Sequence, residues 1–131
     1  MSSSSRLQFA ALALALLISA GIRAEEDTGS RITSYPAAYF DASRPKSAFD
    51  MLSLTPGYTF IDSDPDVRGL ASAVGNVLID GDVPTTKHES HEDLLRRIPA
   101  RAIDRIELIR AGAREVDMHG FALLANVVRL R

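Results

Sequence analysis

The chain contains no cysteine, so neither a disulfide framework nor a thiolate metal site is available to it. Aromatics make up only 6% of its residues, and a small domain so poor in rings builds a thin core that leans on a larger partner. Its unbroken apolar run, Phe9 to Ile18, falls well short of the roughly 20 residues needed to span a bilayer as a helix. No Gly-x-Ser-x-Gly elbow and no phosphate-cradling glycine loop occurs, which removes two common catalytic frameworks. Nor is there a basic stripe with interleaved aromatics. With a net charge of −2, the chain reads as one that does not bind nucleic acid.

What is present begins with a targeting segment. Arg6 and the amino terminus supply positive charge ahead of the apolar run, and Ile22-Arg23-Ala24 ends in a small residue where a peptidase could cut. This is the pattern of a secretory signal peptide, residues 1–24, with cleavage expected after Ala24 and Ala20 as second choice. Glu25 to Ser34 has no apolar periodicity and reads as a flexible leader. Residues 35–131 then suffice for one small domain. Acidic residues dominate up to Leu95 and arginines from Arg96 onward; the preference for arginine over lysine suits ion pairs held against a partner surface.

Along that domain, Tyr35 to Phe40 reads as extended and Arg44-Pro45-Lys46 as a turn. Ser47 with Asp50 three residues on predicts a capped helix burying Ala48, Phe49 and Leu52, which Pro56-Gly57 ends. Tyr58 to Ile61 is rich in strand formers. Asn76-Val77-Leu78-Ile79 followed by Asp80-Gly81 predicts a hairpin with a type I′ turn, its return strand confined to an edge by Pro84. Ser90 with Asp93 repeats the capping pattern on a short helix that presents Leu94, Leu95 and Ile98 inward and stops at Pro99. From Ile103 to Arg110 the chain alternates, Ile106 and Leu108 on one face and Arg105 and Glu107 on the other. Alone, this reads as a solvated edge strand; the Arg–Glu pair also suits a polar environment in which carboxylates hold the arginine fork. Ala113 to Met118 reads as a helical turn closed by Gly120, and Phe121 to Leu130 as a last strand.

Two clusters invite chemistry. Asp62-Ser63-Asp64-Pro65-Asp66 resembles the start of a calcium loop, yet the glycine and distal glutamate are missing, leaving an exposed loop tip. His88 and His91 are three apart, whereas the helix-borne zinc pair of hydrolases needs four, and Ser90 caps the helix between them. No catalytic residue, metal or cofactor is therefore assigned.

Several segments occur together in one order: Pro56-Gly57-Tyr58-Thr59-Phe60, Val67-Arg68-Gly69, Gly75 through Pro84, Arg97-Ile98-Pro99, Asp104 to Arg110 and Ala125-Asn126-Val127-Val128. Together they make the chain resemble the plug domain of TonB-dependent outer-membrane receptors, from about Tyr35 to the end. Where that family commonly carries Arg-Gly-Pro and a glycine pair, Ala111-Gly112-Ala113 and Leu123-Leu124-Ala125 stand here, which marks a divergent branch. The resemblance implies a small α+β domain, a mixed β-sheet with short helices, lodged in a transmembrane β-barrel. It also implies gating of uptake for a small-molecule nutrient such as a siderophore, cobalamin or carbohydrate, driven by TonB. By position, Asp62, Asp64 and Asp66 and then Thr85, Lys87 and His88 would face ligand. Arg31-Ile32-Thr33 would be the TonB contact, and Arg105 and Glu107 would meet the barrel wall. No barrel strands follow Arg131, so the expectation is a plug supplied with its barrel in cis or in trans, at the outer membrane, or in the periplasm where the barrel is absent. The competing readings are a freestanding periplasmic ligand-binding domain and a metal-dependent hydrolase built on His88 and His91.

Overall fold

A computed structural model describes residues 31–64, 66, 74–86, 89–113 and 115–131. The expected signal peptide and the expected leader up to residue 30, Val67-Arg68-Gly69, Ala71-Ser72-Ala73, Lys87 and His88 lie outside the described residues. Four strands form one mixed sheet: β1 (Ile32–Pro36), β2 (Val77–Ile79), β3 (Ile103–Arg110) and β4 (Leu123–Arg129), in the order β1-β3-β4-β2. β3 runs antiparallel to both neighbours, whereas β2 lies parallel to β4. The strand that alone reads as a solvated edge is thus an interior one, and the edges are β1 and the short β2.

Alternation along β3 sorts its side chains as expected. Ile106 and Leu108 enter one apolar core with Val77, Ala125 and Val127; Arg105, Glu107 and Ile109 point to the other face. A register shift between Ile103 and Arg105 returns Ile103 to the first face, where it is buried with Ile106.

That first face is covered by two short helices. In α1 (Ala48–Ser53), the Ser47 hydroxyl accepts from the Asp50 N–H while the Asp50 carboxylate accepts from the Ser47 N–H, the expected reciprocal box. α1 buries Ala48, Met51 and Leu52; Met51 takes the central place expected of Phe49, which instead packs at the margin edge-on to Phe60 and beneath the Arg96 guanidinium. In α2 (His91–Arg97), the Ser90 hydroxyl accepts from Asp93 N–H and Leu95 is buried, with extended Ile98 leading into Pro99.

Five expectations give way. Only Tyr35 and Pro36 of the first segment are extended; Ala37–Ser43 is a 3₁₀ turn that buries Phe40, because Pro36 has no N–H with which to prolong a ladder. The strand begins earlier than the leader was expected to end, so residues 32–34 pair with β3. Tyr58 to Ile61 joins no strand, since its polar groups are taken by Asn76 instead. Asp80 and Gly81 adopt the left-handed φ values of the predicted turn, +52° and +89°, yet the return limb is one bridge between Ile79 and Asp82. Pro84 cannot continue the ladder, and the Asp80 N–H donates to Val127 O of β4. Finally, residues 115–120 form no helical turn: Glu115, His119 and Gly120 all have positive φ.

Candidate functional site

Two regions gather polar groups. The first lies at one end of the sheet, where the 61–64 and 84–86 loops approach each other. Asn76, buried just before β2, binds the first of these loops. Its Oδ1 accepts from Ile61 N–H and from the Tyr58 hydroxyl, both at 2.8 Å, and its Nδ2 donates to Thr59 O. Burial raises the Tyr58 phenol above its ordinary pKa, so it stays a neutral donor. Asp62 is half-buried and engaged: Oδ1 accepts from Ser63 N–H at 2.8 Å and from His91 N–H at 2.9 Å. Asp64 and Asp66 are exposed, and Asp64 Oδ1 accepts from Asp66 N–H at 3.0 Å. Thr85 is exposed and the Thr86 hydroxyl donates to Glu89 O. The expected loop tip therefore divides into a structural aspartate and two that face outward.

The second region crosses the other face of the sheet. Gly81 N–H donates to Asn126 Oδ1 (2.9 Å), Asn126 Nδ2 to Glu107 Oε2 (3.0 Å), and Arg105 Nε to Glu107 Oε1 (2.8 Å), while Arg105 also binds Asp104. Glu107 first and Asp104 second raise the Arg105 pKa and keep its fork fixed. Beside this string runs a groove of about 350 Å³, floored by Leu78 and Ile109 and rimmed by Ile32, Glu107, Val116 and Asn126. Arg105 and Glu107 are partly covered rather than freely solvated.

A family model for the TonB-dependent receptor plug domain matches residues 24–123. The chain belongs to that family. The match runs from ahead of β1 to the first residue of β4, and so takes in both polar regions except the β4 contribution of Asn126. A search of curated proteins returned no match. Plug domains are components of receptors that sit with a β-barrel and TonB at the outer membrane, on its periplasmic side, and their work is gating rather than catalysis. The small mixed sheet with short helices is the α+β plug architecture expected from the resemblance.

In this plug the sequence-derived positions are distributed as follows. Asp62 and Thr85 fall on neighbouring loops; Arg105 and Glu107 are in direct contact; Ile32 and Thr33 lie in edge strand β1, with the Arg31 guanidinium donating to Ala111 O. His91 is not on a solvated loop: it is buried, and its Nε2 contacts Pro84 O at 2.9 Å. Among the described residues no group of His, Asp and Glu is arranged to hold a metal ion. Sequence reading missed Asn76 and His91 as organisers. Asn76 stands within a recognised segment, but which loop its amide would serve depends on a fold that brings 59–61 alongside it.

Proposed function

We propose that this plug gates the uptake of a small-molecule nutrient of the siderophore, cobalamin or carbohydrate class through a transmembrane β-barrel, and that a signal peptide, residues 1–24, exports it. Asp62, Asp64 and Asp66 with Thr85, Lys87 and His88 form the ligand-facing side. Arg105 and Glu107 meet the barrel wall, and Arg31-Ile32-Thr33, at the end of the 25–34 leader, is where TonB takes hold. The observation that supports this reading best is the junction of the 61–64 and 84–86 loops at one end of the sheet, with Asp62 and Pro84 both bonded to His91. β1, the strand carrying Ile32 and Thr33, is also an edge strand of the sheet, paired with β3, so force on the leader acts first on an edge strand.

The reading is tested by retention of the full chain on the immobilised periplasmic part of TonB. Because β1 begins at Ile32, the deletion should stop at residue 31 so that the sheet survives. Loss of residues 25–31 is expected to weaken retention at least about tenfold, the equivalent of about 1.4 kcal/mol. Unchanged retention would remove Arg31 and the leader from the TonB contact.

A further inference from the structure

Three stretches of chain meet at His91, the first residue of α2. Its backbone N–H donates to Asp62 Oδ1, and its ring Nε2 lies 2.9 Å from Pro84 O. A carbonyl oxygen only accepts, so Nε2 donates to it. The residue is only 3% exposed, and Nδ1 is buried without a hydrogen-bond partner among the described residues. Gly75 closes the same edge of the ring. A Cβ on it would lie 3.2 Å from Nδ1, 2.9 Å from Ile61 O and 3.0 Å from Ser63 N, so only a glycine lets the three segments come this near. An apolar side chain of similar size would avoid the cost of the orphaned Nδ1, but it could not bind Pro84.

We propose that His91 is a positioning residue, a latch through which the 61–64 loop and the 84–86 loop are coupled. Its two hydrogen bonds run from one residue to two loops, the backbone bond to the first and the ring bond to the second. If 61–64 moves away, the His91 N–H loses its acceptor and the start of α2 that carries the ring loosens, so water gains access to the Pro84 bond. If 84–86 moves away, the ring is free to rotate, and the contact on which Asp62 docks loosens. A coupling of this kind is reciprocal. It concerns the protein's own loops, so it stands or falls independently of whether they meet a nutrient.

Amide hydrogen exchange on the full chain tests the latch, with peptides covering residues 60–64 and 83–90 and the β3 and β4 amides as a control for the fold. His91→Leu fills the space without the donor and is expected to speed exchange about tenfold in both peptides, the loss of roughly one net hydrogen bond. His91→Gln, whose amide can donate to Pro84 O, should recover part of the protection; a glutamine no better than leucine overturns the role given to the ring bond. Asp62→Ala cuts only the first connection and leaves the core untouched, so it decides the matter even if His91→Leu does not fold. The latch requires faster exchange in 83–90 as well as in 60–64. Acceleration confined to 60–64 would overturn it.

Discussion

The first face of the sheet is closed by apolar side chains from α1, α2 and the 37–43 turn, whereas the second carries a string of hydrogen-bonded polar groups beside a smaller apolar cluster of Leu78, Ile109 and Leu124. Both faces belong to the same strands, and β3 supplies each with alternate residues. Burial on the first face gains free energy in proportion to the apolar area removed from water, with little demand on direction. Groups on the second face gain little net energy but fix angles and distances. The division assigns most of the stability to one side of the plug and directional bonding to the other.

The largest expected effect follows from cutting into the first face. Ile106 is wholly buried between β3 and the helices, so Ile106→Ala should destabilise the domain by about 3–4 kcal/mol in urea unfolding, the sum of lost transfer energy and an unfilled cavity. Ile109→Ala, on the second face, removes the same atoms beneath the irregular 113–121 segment, which can settle into the space. Its cost should be nearer 2 kcal/mol. Equal losses would break the comparison between the faces.

Next in size is the polar string. Glu107→Leu removes the acceptor for both Arg105 Nε and Asn126 Nδ2 and leaves the buried Asn126 amide with an unmet donor, for an expected cost of about 1–3 kcal/mol. Glu107→Gln retains one acceptor oxygen and should fall between leucine and the parent protein. If leucine proved neutral or stabilising, the string would not be a positioning device, and the groove beside it would have no fixed rim.

How much of this could be read in advance depends on range. The Ser47 and Ser90 caps, the alternation of β3 and the Asp80-Gly81 turn are set by residues within a few positions of one another, and each appears where spacing placed it. Partner choice was less legible. β2 looked like half of a hairpin because its turn is a hairpin turn, but Pro84 spoils the return limb and the neighbour is β4, far along the chain. Likewise, no local pattern around His91 hints at Asp62 or Pro84, since both contacts arise only after three loops have been folded together. The arginine and glutamate of β3 were legible as a pair; Asn126, which completes their string, was not.

The smallest expected effect concerns acid. Asp50 is held below the usual carboxylate pKa chiefly by the Lys46 N–H, with Ser47 contributing, and Asp80 chiefly by the Arg129 N–H, with the Arg129 guanidinium in support. A lowered folded-state pKa means that the unfolded chain takes up the proton first on acidification. The stabilisation is therefore complete above the unfolded carboxylate pKa of about 4 and is lost as the pH falls through the lower folded values. Asp50 caps a helix of the first face, while Asp80 clamps the β2 turn to the end of β4, so the two substitutions probe different sides of the comparison. Asp50→Asn and Asp80→Asn should each flatten the fall of unfolding free energy below about pH 4, measured by urea titration at successive pH values, and the double variant should flatten it by the sum, since the sites share no partner. A slope unchanged by either substitution would mean that neither clamp survives in solution, and that the β2 turn is held to β4 by the Asp80 N–H to Val127 O and Gly81 N–H to Asn126 Oδ1 bonds.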